Sequence, residues 1–262
     1  MRTKILCFLF FAFLFCGKAS AQYAQFPTAG TIYFDKTVYL KNVILKRFLP
    51  LSDERSKSWY ENIRSKIPES VVLKRKLVFS GDQYTFSAEK NEMEPFEKGL
   101  MEQHALNSEG TTFVDLSKKE FKRLADLGGE NILLIDSLQD VKWKITNEYR
   151  NIAGYECRRA NGLTADSIYV VGYFTNNIPV SAGPESVQGL PGLLLGLAIP
   201  SMHIQYFATK VEISNVTVEG NIQGKKKTPT MTRKELHTMI NKNLSSFMKP
   251  DLLNYIMKLY SL

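Results

Sequence analysis

The chain has 262 residues, 44% of them apolar, with 34 basic against 26 acidic residues and three cysteines. That size suits one large domain, or one domain with an appendage, built on a packed core. The net charge of +8 is dispersed, which speaks against nucleic-acid binding and leaves attraction to an acidic outer surface open.

In chain order, the first segment is a targeting sequence. Arg2 and Lys4 supply a positive start, "ILCFLFFAFLF" is the apolar run, and Ala19-Ser20-Ala21 is a small-x-small cleavage site. The run is shorter than the roughly 20 residues a membrane-spanning helix needs. Phe15 stands before Cys16, where lipoprotein signals carry a small residue. Residues 1–21 therefore read as a signal peptide, and the mature chain as periplasmic or secreted, soluble and not lipid-anchored. Cys7 and Cys16 leave with it, so Cys157 remains alone and no internal disulfide is expected.

Residues 31–40, "TIYFDKTVYL", read as a strand. Trp59, Ile63 and Ile67 recur every four residues and predict one short helix over 57–68. Two alternating runs flank Ser80-Gly81-Asp82, a hairpin in which glycine supplies positive φ. Residues 89–110 read as a loop or a short helix. From 111 to 175 strand signals recur about every ten residues, too closely spaced for crossover helices, so the chain meanders through antiparallel neighbours. Residues 202–220 give one long strand or two. In the C-terminal part, Leu236, Met239, Ile240, Leu244, Phe247 and Met248 share a helical face, with Thr232 and Glu235 spaced as a capping box. A second amphipathic set follows Pro250. These helices cover the sheet or meet a partner or membrane surface. The expected fold is α+β, mainly β: a curved antiparallel meander sheet, an open half-barrel or bowl. One helix lies in the N-terminal half and two amphipathic helices at the C-terminus. Residues 22–220 form the β-rich domain, and 221–262 pack on it.

The oddest stretch is "ESVQGLPGLLLGLAIP", residues 185–200. Gly183-Pro184, just upstream, is one rigid corner. Leu190-Pro191-Gly192-Leu193, preceded by Gly189, carries the type II turn signature, with Gly192 expected at positive φ. The run 193–199 lacks polar alternation, so both its faces should be out of water, in the core or in the floor of a concavity. Gly196 marks a bulge or a close approach.

"GYECRRA", "YFTNNIPVSAGP" and "GLPGLLLGL" closely resemble, in order and spacing, the hallmark of the GLPGLI family of exported proteins from Bacteroidota. The family has no assigned activity. The resemblance implies a cell-envelope location and a β-rich shape, and puts Tyr173 and Cys157 in the shared pattern. A similar module precedes a secreted glycosidase-type domain, and the family's genes often lie near outer-membrane TonB-dependent receptors, which implies such a receptor or another envelope protein as partner. Asp136-Ser137-Leu138 and Asp166-Ser167-Ile168 resemble O-glycosylation sites of that phylum, implying modification at Ser137 and Ser167.

Reactive chemistry is sparse. His104, His203 and His237 are far apart in sequence, and Met202 and His203 should point to opposite faces of a strand, so no metal site or cofactor is expected. Cys157 reads as a buried small hydrophobe. Glu185, Asp136 and Asp140 fall at predicted turns, where polar caps are expected, and the charges of "LKRK" (73–76) read as solvated. The leading expectation is a non-catalytic envelope module that binds an unidentified ligand or partner. A carrier holding an apolar, lipid-like ligand in a concave sheet is the alternative, and an uncharacterised hydrolase the second.

Overall fold

A computed structural model of the protein describes residues 26–262 apart from 107–109, 128, 225–226 and 247. The signal peptide expected over 1–21 lies outside the described residues, as do Gly128, Lys225, Lys226 and Phe247. The strands are β1 (Ala29–Val38), β2 (Val71–Ser80), β3 (Gln83–Ala88), β4 (Thr111–Asp115), β5 (Glu120–Leu127), β6 (Glu130–Ser137), β7 (Lys142–Ile152), β8 (Tyr155–Leu163), β9 (Tyr169–Thr175), β10 (Leu193–Ile199), β11 (Ile204–Ile213) and β12 (Thr230–Met231). The helices are α1 (Leu40–Val43), α2 (Glu54–Ile63), α3 (Pro95–Gln103), α4 (Arg233–Leu244) and α5 (Pro250–Ser261).

All twelve strands join one open sheet in the order β12-β6-β5-β4-β3-β2-β1-β11-β10-β9-β8-β7. The sheet is two antiparallel meanders sewn together where β1 pairs with β11, and short β12 runs parallel to β6. The first described strand, β1, is thus central. The hairpin at Gly81 forms as expected, with Ser80 opposite Gln83 and Gly81 at φ +56°.

Ring contacts show how far the sheet curls. Phe86 on β3 and Tyr206 on β11 have centroids 5.9 Å apart with β2 and β1 between them; at about 4.8 Å per strand a flat sheet would hold them about 14 Å apart. The concave side is filled by segment 176–192 and by the C-terminal helices, whose Leu236, Ile240, Leu253 and Ile256 belong to the same buried cluster as the β10 leucines. On the opposite face the tip of the β7–β8 hairpin folds back over the sheet. The Arg150 guanidinium lies 4.6 Å from the Phe207 ring of β11. A Cβ on Gly196 would come within 3.0 Å of Ile152.

Strand β10 is therefore covered on both sides, as its run of apolar residues implies. Leu193, Leu194, Leu195, Leu197 and Ile199 are all buried, each worth roughly 1.5–3 kcal/mol. Gly196 shows both expected features, a register shift against β9 and an approach that would put a Cβ 2.8 Å from the Phe207 ring.

Several expectations are corrected. Gly192 is not at positive φ; Gly189 is, at +101°. The type II turn is therefore absent, and Gly192 is required because a Cβ would lie 2.1 Å from the Thr175 carbonyl oxygen. Helix α2 starts earlier than expected, with Asp53 accepting from the Ser56 amide. It buries Tyr60 and leaves Trp59 exposed. Among the described residues the N-terminal half holds three helices, not one. Leu40, expected to end the first strand, instead starts a helical segment through 51, of which 41–51 carried no expectation: α1 runs into a π-helical turn (Ile44–Phe48) and a 3-10 turn (Leu49–Leu51). Leu40, Val43, Ile44 and Phe48 form its buried stripe. Pro200–Met202 is a 3-10 turn and His203 is left-handed, so the two do not alternate on a strand. The capping box at α4 forms in full.

Candidate functional site

The concave face carries a charged centre. On β1, β2 and β5 one cation sits among apolar residues of the same strand face: Lys36 between Phe34 and Val38, Arg75 between Leu73 and Leu77, and Arg123 between Phe121 and Ala125. All nine are buried. Strand alternation at period two forces these cations inward. Arg75 thereby corrects the reading of "LKRK" as solvated, while its neighbour Lys74 does face outward, pairing with Asp35 at 2.7 Å.

Glu185, expected as a turn cap, is the buried anion of this centre. Its Oε2 lies 3.1 Å from Arg123 Nη1, and Tyr206 donates its hydroxyl to Oε1 at 2.7 Å. Lys36 Nζ stands 4.0 Å from Oε1. Burial alone would raise the Glu185 pKa, but Arg123, then Lys36 and Arg75, hold it below the ordinary glutamate value. For Lys36 burial wins, helped by Arg75 and opposed by Glu185, and brings the ammonium down to about 7. The carboxylate is delivered by a strained backbone, since Glu185 has φ +58° without being glycine, a conformation that costs of order 1–3 kcal/mol and persists only where surroundings enforce it. Among the described residues the buried Tyr84 hydroxyl has no hydrogen-bond partner.

The residues singled out in the sequence do not come together as a reactive group. Gly183 and Pro184 are buried just before Glu185, and a Cβ on Gly183 would lie 2.6 Å from Leu194. Leu190 and Leu193 are buried, and Pro191 is exposed. Trp143, which sequence reasoning passed over, explains two glycines at once. Its indole fits where a Cβ on Gly162 would lie at 2.7 Å and on Gly172 at 3.0 Å. It also donates Nε1–H to the Gln188 carbonyl at 2.9 Å. Tyr173 faces outward beneath Arg150. Cys157 is fully buried, and burial, then Glu156, pushes its thiol up to about 12.

Ser137 and Ser167 are exposed, and Ser167 has φ +58°. Asp136 and Asp166 line one polar cleft of about 470 Å³ with Arg233 and His237. There Asp136 accepts from the Arg233 amide at 3.0 Å, a contact that docks α4 on β6. His237 Nε2 is 3.0 Å from Ser261 Oγ. His104 is buried, its Nε2 2.9 Å from the Tyr60 hydroxyl and its Nδ1 2.6 Å from the Leu100 carbonyl. The histidines stay apart, and no three ligand residues gather for a metal among the described residues.

The concave face is packed, and a wide opening lies at the rim. A cleft of about 790 Å³ runs between α4, α5, the end of α3 and the β5–β6 turn. Phe48, Leu127, Met239, Ile240, Met248 and Ile256 make its apolar wall, with Glu102, Asp126, Asn131 and Asn243 among its polar residues.

A family model described as "Protein of unknown function (Porph_ging)" matches residues 162–196, a stretch that runs from one Trp143-facing glycine through Glu185 to Gly196. No curated protein matches. Two crystal forms of PNGF-II are similar at 14% identity, with TM-scores of 0.49 and 0.47. The similarity covers 81% and 80% of this chain but only 33% and 32% of theirs, so the chain spans about a third of those proteins.

Proposed function

We propose that this protein is an exported, non-catalytic binding module of the cell envelope, of the GLPGLI type, and that its rim cleft takes an apolar ligand. The observation that carries the reading is the cleft itself. Its volume of about 790 Å³ falls in the roughly 300–1,000 Å³ range of small-molecule sites, which pair apolar walls with a few polar groups. Met239 and Met248 give the wall adaptable, polarizable side chains. The groups that could serve chemistry are otherwise engaged: the Cys157 thiol is buried and protonated, His104 is held at both nitrogens, and Glu185 is clamped by Arg123 and Tyr206. Export rests on the residue pattern of positions 1–21.

The test is mass spectrometry of protein purified natively from its own envelope, before and after delipidation. A co-purifying apolar molecule that is lost in Met239→Trp, which fills the cleft from a half-buried position, supports the reading. Identical spectra from native and delipidated protein overturn it.

A further inference from the structure

On the other side of α5 lies a second opening, of about 380 Å³, between that helix and segment 40–51. Its chemistry is the reverse of the first. Lys46 and Arg47 enter it from the π-helical turn and Lys258 from α5, against a single acid, Asp251. Neither these three cations nor Asp251 makes an ion pair among the described residues, whereas Lys41 of the same helical segment is paired with Glu69 at 2.5 Å. Arg47 is held in place: its Nη2 donates to the Ser201 carbonyl at 2.8 Å. Tyr255 in the wall is fixed in the same way, donating to the Met202 carbonyl at 3.3 Å.

Three further features point to an anion. Helix α5, of 12 residues, starts at Pro250 with no side-chain cap; Pro250 has no N–H and the Leu252 and Leu253 amides bond the Lys249 carbonyl, so at the positive end of the helix beside the cleft the Asp251 amide is the first-turn donor left for an anion's oxygen. Burial chiefly, with the fields of Lys46 and Arg47 adding to it, favours the neutral form of nearby His203. The π-helical turn is an irregularity often kept at functional sites. Pro50, Leu51 and Leu252 add an apolar wall beside the cations, which suits an anion carried on a larger molecule.

We propose that this cleft binds a phosphate group, with Arg47 as the fixed contact, Lys46 and Lys258 as mobile charges, and the apolar wall receiving the rest of a phosphoester. The site is independent of the rim cleft, and Met239→Trp leaves it untouched, so either can fail alone.

The experiment compares wild type, Lys46→Glu/Arg47→Glu and the control Lys98→Glu/Lys234→Glu, which changes net charge equally at exposed positions elsewhere. Probes are inorganic phosphate and glycerol 3-phosphate by calorimetry, and flotation with vesicles of phosphatidylcholine alone or mixed with phosphatidylglycerol. The expected result is salt-sensitive binding that the cleft variant weakens at least about tenfold, given about 1 kcal/mol per basic residue near an anionic surface, while the control stays within twofold of wild type. Binding of the soluble phosphates assigns the site to free phosphoesters; binding of the mixed vesicles alone assigns it to a lipid headgroup. If no probe binds, or if both variants weaken binding equally, the proposal is overturned. Should the double variant not fold, Lys258→Gln, judged by unchanged melting temperature, carries the same comparison.

Discussion

Strand β10 and the inward faces of the three strands that carry Lys36, Arg75 and Arg123 are both buried, yet for different reasons. In β10 nearly every side chain is apolar, and two separate elements, segment 176–192 and the β7–β8 tip, cover its faces. In β1, β2 and β5 one position in an otherwise apolar face is charged, and Glu185 comes in from the loop to meet it. The first arrangement stabilises through area removed from water. The second gives a specific location for one loop residue, because a buried cation without its counter-charge is costly. The hydrophobic ribbon holds the sheet together, and the ion pair decides where segment 176–192 sits.

The sharpest break of that comparison is Glu185→Ala. It leaves Arg123 and Lys36 buried beside no carboxylate, and should destabilise by about 3–5 kcal/mol in urea unfolding. The double variant Arg123→Met/Glu185→Ala should recover part of that loss. Strict additivity of the two single changes would mean that the 3.1 Å contact contributes nothing. Next in size is Gly192→Ala, whose Cβ would meet the Thr175 carbonyl oxygen at 2.1 Å; overpacking of that kind costs about 1–3 kcal/mol. A neutral result would show that the loop is free to shift.

Acidity sharpens the contrast further. Lys36 titrates at about 7 in the folded chain instead of 10.5, so between those values the unfolded chain binds more protons and stability should rise with pH. Glu185 is held below the ordinary glutamate value; its contribution is present above that value and is lost as pH falls through the folded one. Denaturation midpoints measured from pH 6 to 10 should therefore climb, and Lys36→Met should flatten the climb. The smallest expected effect lies outside both regions: Thr232→Ala, which removes the α4 capping box, should cost about 1 kcal/mol in thermal or urea unfolding.

Much of the architecture was readable because it depends on local rules. Alternation and turn residues located β4 to β9, the uninterrupted apolar run located β10, and Thr232 with Glu235 located the start of α4. What escaped was set by partners distant in sequence. The placement of β1 between β2 and β11 depends on pairing with residues about 175 positions away, and Gly192 is needed because of Thr175, not because of its own φ. The charged centre left a trace that alternation could have exposed: Phe34-x-Lys36-x-Val38, Leu73-x-Arg75-x-Leu77 and Phe121-x-Arg123-x-Ala125 each put a cation on an apolar parity. Glu185 left no such trace, since a loop residue has no period. Neither did the rim cleft or the cationic cleft, which exist only where helices from opposite ends of the chain meet.

Native-state hydrogen exchange tests the central claim most directly, because it reads opening energies strand by strand. The amides of residues 193–199 should exchange only through global unfolding, with a free energy equal to that from urea, while those of the edge strand β7 exchange far sooner. Exchange of 193–199 at the pace of β7 would contradict the account.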